Sequence, residues 1–144
     1  MTSYKEIFDL ALRLYDDPSL ATWPEEDLSN ELYSHLQIAI ANTPKIRSEV
    51  ADRDAFNPML IDSTGFKNDL SDVTKMVLGL GMKRAWLQPQ IASTTVTLQA
   101  FNKTEGYSQR EHLRGLMSLD ESIRIEIRKL LRDNSYVDNG YFDD

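Results

Sequence analysis

The sequence predicts a mainly α-helical protein, a small bundle of about four helices with a long irregular connection and an extended C-terminal tail. Apolar residues recur at helical spacing in four stretches, and capping residues or prolines flank most of these stretches. The chain has 144 residues, 41% of them hydrophobic, which suits one compact domain and excludes two independent cores. We therefore expect a single helical domain over residues 1–133 and a tail over residues 134–144.

The first predicted helix begins after Ser3, because Ser3 and Glu6 have the spacing of a capping box. It is expected to run to about Asp16, where Asp17 and Pro18 end it. Its apolar positions follow helical spacing and are Tyr4, Ile7, Phe8, Ala11, Leu14 and Tyr15.

The second predicted helix begins at Pro24, a residue that suits a first helical turn. Glu25, Glu26 and Asp27 follow, where the helix dipole favours negative charge. Pro44 ends this helix by denying the preceding residue its helical conformation. Residues 45–70 then form a long connection in which a short helix is expected near residues 45–52.

The third predicted helix is capped by Ser71 and is expected to end at Pro89. Gly79 and Gly81 lie inside it, and each glycine costs roughly 1 kcal/mol relative to alanine in a helix interior. A missing side chain offsets this cost where a neighbouring helix must approach closely. We therefore interpret Gly79, Gly81 and Trp86 as close helix packing rather than as a hinge.

Residues 90–107 are rich in β-branched and hydroxyl side chains, and three alternatives stay open for them: a loop, an irregular turn or a short strand pair. A second capping box, Ser108 to Glu111, then predicts a long helix to about Asp133.

The tail carries four large apolar or aromatic side chains in a segment too short to form its own core. Side chains of this kind are enriched among interface anchors. One interpretation is a docking arm that orders on a partner; the other is a frayed or folded-back terminus. The four residues are Tyr136, Val137, Tyr141 and Phe142.

The charge is negative and unevenly distributed. The net charge is -7, with 6 basic and 14 acidic residues in positions 1–72 but 10 and 9 in positions 73–144. Binding along a phosphate backbone is therefore opposed, and a general nucleic-acid binder is not expected. The acidic face is either ordinary solvated surface or a surface that meets a partner or lines a passage. Its candidate residues are Glu25, Glu26, Asp27, Asp52 and Asp54.

The sequence lacks the motifs that most kinds of catalytic site require. There is no cysteine, and the two histidines, His35 and His112, are expected to be ordinary helix residues. Phosphate-binding loops and helical zinc motifs do not occur, so no cofactor and no metal is expected. No apolar run approaches the roughly 18–20 residues of a membrane span, and the N-terminus lacks the pattern of a signal peptide, so a soluble, unexported protein without a membrane partner is expected.

A family pattern is present at Phe66–Ser71 and again at Leu78–Leu87, where an Asp-Leu-Ser helix start is followed by a Gly-Met pair and Trp-Leu. It continues through Ser108, His112 and Leu113 and covers roughly residues 66–120. This pattern resembles neck proteins of tailed bacteriophages, in particular the head-to-tail connector or adaptor proteins.

The resemblance implies a structural, non-enzymatic virion protein. It implies a homo-oligomeric ring, usually of twelve copies, that sits beneath the portal protein, extends the DNA channel and offers the tail or a stopper protein a surface for assembly. DNA would pass through without sequence-specific binding. The protein would be assembled in the host cytoplasm and reside in the virion neck, with residues 134–144 reaching toward the portal.

Two other classes stay open. A small acidic helical regulatory or binding module would act as a monomer or dimer through the same acidic face and would form no ring. A small enzyme with a carboxylate site would need the aspartates of the long connection and its end. These are Asp52, Asp54, Asp62 and Asp69.

Overall fold

The described part of the chain contains five α-helices, two short 3-10 helices (Pro18–Thr22 and Pro44–Ile46) and one pair of two-residue strands. The computed structural model describes residues 1–100 and 106–139, with side chains as far as residue 134. The prediction of a mainly α-helical protein is confirmed. In chain order the elements are β1 (Thr2–Ser3), α1 (Tyr4–Tyr15), α2 (Glu25–Ala41), α3 (Arg47–Val50), β2 (Gly65–Phe66), α4 (Asp72–Gln99) and α5 (Tyr107–Asn139).

Two of the predicted helix caps are confirmed. The hydroxyl oxygen of Ser3 accepts a hydrogen bond from the backbone N–H of Glu6 at 3.2 Å. The hydroxyl of Ser71 likewise accepts from the N–H of Thr74 at 3.2 Å. Each bond satisfies one of the four N–H groups that a helix leaves unpaired at its start, and so fixes where the helix begins.

The core is arranged around α4, which packs against α1, α2 and α5. Its first half is buried on several sides, which explains why hydrophobic residues there do not follow a single stripe. Fully burying a large apolar side chain stabilises a fold by roughly 1.5–3 kcal/mol. The largest fully buried side chains are Tyr4, Phe8, Phe66, Ile7, Leu36, Leu78, Met82, Leu87, Val50 and Val77.

The long connection is anchored to the start of α1. β1 pairs antiparallel with β2, so that Thr2 lies opposite Phe66. The N–H of Tyr4 donates to the carbonyl of Thr64 at 2.9 Å. A Cβ on Gly65 would lie 2.1 Å from the carbonyl oxygen of Thr2, so only glycine allows this approach. The short helix expected near residues 45–52 is confirmed as α3.

The predicted end of the third helix is wrong, because α4 continues through Pro89 to Gln99. Proline cannot donate to the carbonyl four residues earlier and normally breaks a helix. Here Leu87 and Ile91 pack in an apolar cluster with Leu116 and Ile123 of α5, and this burial outweighs the local cost. Residues 90–99 are accordingly helical, whereas a loop, turn or strand pair was expected. Residues 101–105 lie outside the described residues.

The last helix is longer than the sequence predicts. α5 begins at Tyr107, one residue before the predicted cap Ser108, and it continues to Asn139 rather than ending near Asp133. Neither glycine nor proline occurs between Gly115 and Gly140, so the sequence offers no strong stop there. The expectation of an extended segment from residue 134 is therefore corrected for residues 134–139, which are helical.

Candidate functional site

Gly79 and Gly81 are the points at which α4 touches two neighbouring helices. A Cβ on Gly79 would lie 2.9 Å from Cδ1 of Leu14, a side chain of α1. A Cβ on Gly81 would lie 2.8 Å from the Cβ of Ala39 on α2. Both distances are shorter than ordinary carbon contacts, so the missing side chains let α1 and α2 pack closely on α4.

Trp86 stacks on Tyr15 next to these contacts. The two rings are 5.0 Å apart between centroids and 8° from parallel. The indole lies partly buried between the main core and the α4–α5 cluster. Trp86 therefore joins the packing of α1 on α4 to the packing of α5 on α4.

A buried polar network lies beside this stack. It includes His35, which the sequence predicts to be an ordinary helix residue. The hydroxyl of Tyr15 lies 2.7 Å from Nδ1 of His35 and 3.1 Å from the carbonyl oxygen of Met82. Nε2 of His35 lies 3.1 Å from a carboxylate oxygen of Glu31. Glu31 and His35 are four residues apart on α2, and this spacing is the one sequence signal of their contact.

The protonation of this network follows from its geometry. Burial lowers the pKa of His35, while the nearby Glu31 carboxylate raises it to a lesser extent. Neutral His35 can donate from Nε2 to Glu31 and accept at Nδ1 from Tyr15. Burial also raises the pKa of Tyr15, which keeps its hydroxyl protonated. A partly open cleft of about 300 Å³ borders the network, where Trp23, Pro89 and Gln90 contribute to its wall.

The acidic residues that the sequence singled out fall into two groups with different surroundings. Glu25, Glu26 and Asp27 are exposed in the first turn of α2. Glu25 and Glu26 line a cleft of about 390 Å³ together with Asp62 and the exposed Met59. This acidic surface therefore combines negative charge with apolar side chains from the long connection.

Asp52 and Asp54 are instead part of the structure of the connection. Asp54 pairs with the ammonium group of Lys67 at 2.6 Å and accepts from the N–H of Gly65 at 3.0 Å. The Lys67 contact and then the Gly65 N–H hold the pKa of Asp54 below its ordinary value. The carbonyl of Asp52 accepts from the N–H of Lys67 at 2.9 Å. Asp69 pairs with the N-terminal ammonium group.

Of the four aspartates considered for a carboxylate site, Asp54 and Asp69 therefore form separate ion pairs, Asp52 contributes its backbone carbonyl, and Asp62 lies on the acidic surface. Among the described residues no group of three or more histidine and acidic side chains is arranged to hold a metal ion.

A basic cleft of about 250 Å³ lies where the end of α2 meets α4 and α5. No pattern in the sequence predicts this cleft. Apolar atoms of Ile127 and Leu131 line it beside the backbone of Gly81. Its cationic side chains come from the segment after α2, from α4 and from α5. They are Lys45, Arg84, Arg124 and Arg128.

Two of these four cations already have acidic partners. Nε of Arg84 lies 2.8 Å from Asp120, and Arg124 lies 2.8 Å from Glu121. Lys45 and Arg128 form no ion pair with any residue that the structure describes. The basic cleft thus has positive charge left over for a negatively charged partner.

The acidic surface and the basic cleft lie at opposite ends of α2. Glu25 is the first residue of this helix, whereas Lys45 follows its last turn. Seventeen helical residues span about 25 Å at the usual rise per residue. One protomer therefore presents two distant, oppositely charged surfaces.

The predicted docking residues of the tail divide at the end of α5. Tyr136 and Val137 belong to α5, and their side chains are outside the described part. Tyr141 and Phe142 lie outside the described residues altogether.

The α4–α5 pair carries large apolar side chains on its surface. His112, the second histidine, is exposed on the same stretch of α5. Leu98 of α4 lies near Leu113 and Met117 of α5 around an open apolar groove. Among the residues of this pair whose side chains the structure describes, the large exposed hydrophobic ones are Val96, Tyr107, Met117, Leu119 and Ile125.

The chain matches no family model, no curated protein and no solved structure in the comparisons made with each. Within residues 1–100 and 106–139, none of the helices combines the length and the apolar character needed to cross a bilayer.

Proposed function

We propose that this protein is a structural subunit of the neck of a tailed bacteriophage, a head-to-tail connector that forms a ring under the portal protein. The resemblance implies twelve copies in this ring. In this role it extends the DNA channel and joins the capsid to the tail or to a stopper protein. It acts without a cofactor, and its localisation is the virion neck after assembly in the host cytoplasm.

The observation that carries the proposal is the exposed apolar surface of the α4–α5 pair. Two helices of 28 and 33 residues pack on each other and leave large hydrophobic side chains, such as Val96 and Met117, open to solvent. Leu98 of α4 lines one open apolar groove with Leu113 and Met117 of α5, and an exposed apolar groove of this kind is typical of protein interaction sites. The segment that resembles connector proteins, residues 66–120, falls largely on these same two helices.

The charge distribution agrees with a role beside DNA without binding to it. A net charge of -7 repels the phosphate backbone. A channel built from such subunits would let DNA pass without adhering. The basic cleft is confined to one end of α2 and is small beside a duplex.

The test is mass photometry and negative-stain imaging of the purified protein, with and without the portal protein from the same genome. We expect a ring, or a ring-shaped layer added to the portal. A protein that stays a monomer or dimer and leaves the portal bare contradicts the proposal. That outcome favours the alternative function of a small acidic regulatory module.

A second test removes residues 134–144. Leu130 and Leu131 are the last residues of α5 that pack on the core within the described part, so the truncated chain is expected to keep its fold and helical content. We expect it to lose portal binding, because the deleted segment carries Tyr136, Val137, Tyr141 and Phe142. Unchanged portal binding by the folded, truncated protein would contradict the docking role of the tail.

A further inference from the structure

We propose that the basic cleft of one protomer binds the acidic surface of a second copy of this chain, with Met59 and Leu60 of that copy inserted against Ile127 and Leu131. This inference rests on the proposed ring and names the contact that builds it. Its partner is therefore another copy of the same protein, bound head to tail.

The cleft has the two properties that such a partner requires. Its apolar lining comes from Ile127 and Leu131, which are partly buried and leave room for further side chains. Lys45 and Arg128 also line it, without an acidic partner among the described residues. An apolar centre with a charged rim is the usual construction of a protein interface.

The acidic surface offers the complementary properties. Met59 and Leu60 are 74% and 45% exposed, so two adjacent large apolar side chains are available for a contact. Glu25, Glu26 and Asp62 line the same cleft as Met59. Lys5 also lines this cleft, but Asp9 pairs with it at 2.8 Å, so the surface stays negative.

The position of the two surfaces determines the kind of assembly. They lie about 25 Å apart along α2, so a protomer cannot fill its own cleft. A contact between two different patches is heterologous, and repetition of it produces a ring when the rotation closes. Two different surfaces on one chain are therefore sufficient to build a closed oligomer from identical copies.

A phosphate backbone is the other anionic partner that Lys45 and Arg128 could bind. The overall charge of -7 opposes it, and the apolar lining of the cleft offers nothing to a phosphate group. We therefore favour the acidic loop of a second copy, and binding of DNA is kept as an outcome of the test.

The experiment uses site-specific cross-linking, which is clean because the chain contains no cysteine. One sample carries Met59→Cys and a second carries Asn42→Cys, an exposed uncharged position in the basic cleft. Each sample by itself, and a mixture of the two, is treated with a short bis-maleimide, with and without the portal. We expect a cross-linked dimer mainly in the mixture. The control replaces Met59→Cys by Ser34→Cys, an exposed residue midway along α2 that lines neither surface, and is expected to give little product.

A charge exchange tests the electrostatic part of the same contact. Arg128→Glu is added to the chain with the cysteine in the basic cleft, and Glu26→Arg is added to the Met59→Cys chain. Each substitution by itself is expected to lower the yield of the cross-linked dimer in the mixture about tenfold, the change that about 1.4 kcal/mol of lost binding produces. Combining the two substitutions on opposite partners is expected to restore the yield. The matched controls Lys129→Glu and Glu126→Arg make the same charge changes at exposed sites outside the cleft and are expected to have little effect.

Each outcome bears on one proposal separately. No cross-link in the mixture, with or without the portal, overturns the inference, and a product of Met59→Cys alone overturns it in favour of a symmetric contact. Portal decoration without the cross-link contradicts this contact but not the connector function, whereas the cross-link without portal decoration supports the contact and contradicts the connector. If Arg128→Glu abolishes binding of duplex DNA and leaves the cross-link intact, the cleft binds nucleic acid and the inference fails.

Discussion

The hydroxyl oxygen of Tyr15 and Nδ1 of His35 lie 2.7 Å apart in the interior, and this contact joins α1 to α2. The same hydroxyl lies 3.1 Å from the carbonyl oxygen of Met82 on α4. A hydroxyl has one hydrogen, so Tyr15 donates to neutral His35 or, when His35 is protonated and donates from Nδ1, to Met82. The protonation state of His35 therefore decides which helix Tyr15 donates to.

We expect the stability of the protein to fall as the pH is lowered below about 6.5, the ordinary pKa of histidine. Burial lowers the pKa of His35 in the folded state, so the unfolded chain takes up the proton first and stability is lost toward the folded-state pKa. One proton accounts for a slope of at most about 1.4 kcal/mol per pH unit. The measurement is urea unfolding from pH 7.5 to 5.

The variant His35→Gln isolates the contribution of His35. Its stability is expected to lose the part of the pH dependence that protonation of His35 causes. Glu31→Gln is expected to steepen the acid loss, because the Glu31 carboxylate raises the pKa of His35 against the effect of burial. A His35→Gln protein with the same pH profile as the natural chain would contradict the prediction.

Tyr15→Phe is expected to destabilise the fold by about 1–3 kcal/mol, because it leaves Nδ1 of buried His35 without its partner. The ring stack on Trp86 is retained, so the loss reports the hydroxyl alone. Tyr33→Phe is the matched control. Tyr33 stacks on Phe56 at 4.1 Å and forms no described hydrogen bond through its hydroxyl, so its change is expected to be near zero in thermal unfolding.

The three helical glycines are expected to respond differently to substitution. Gly115→Ala is expected to stabilise by up to about 1 kcal/mol, since nothing lies within 4 Å of the added Cβ. Gly81→Ala is expected to destabilise despite the same gain in helix propensity, because the Cβ and Cα of Ala39 cannot move away without shifting α2.

At Gly79 the first neighbour is the end of the Leu14 side chain, so Gly79→Ala is expected to cost less than Gly81→Ala. Gly79→Leu is expected to destabilise the domain or its assembly. Chemical denaturation of the variants side by side gives the ranking. A fully stable and fully assembling Gly79→Leu protein would indicate a hinge instead.

Asp120→Ala is expected to cost about 1–2 kcal/mol, the range for a partly buried hydrogen-bonded ion pair. Asp120 accepts from Arg84 at 2.8 Å and from Gln88 at 3.2 Å, and so joins α4 to α5. Glu121→Ala removes a more exposed pair within α5 and is expected to cost less than about 0.5 kcal/mol. Equal losses of stability in urea unfolding would mean that the ion pair between α4 and α5 stabilises the fold no more than an exposed ion pair does.

Local sequence signals predicted the beginnings of helices well and their ends less well. Ser3 and Ser71 could be identified because a cap involves residues only three positions apart. Pro89 was misleading because its local preference is overcome by contacts with α5, more than twenty residues away in sequence. The end of α5 was placed too early although the sequence contains no breaker before Gly140.

The candidate interaction surfaces show the same division. Glu25 and Glu26 could be predicted as an acidic surface, since they are adjacent in sequence at a helix start. The basic cleft could not, because Lys45, Arg84 and Arg128 come from three segments that only packing brings together. The network of Tyr15 and His35 likewise crosses between two helices, and only the Glu31 contact follows from spacing along the chain.

The sequence by itself determined the helical class, the caps of α1 and α4, the glycines that mark a close helix contact, and the negative charge. These properties depend on residues that are close in the chain or on composition. The tertiary structure decided that α4 continues through Pro89, that the long connection is anchored to α1, and that a basic cleft lies opposite the acidic surface. These features depend on contacts between residues far apart in sequence, whose energies exceed the local preferences.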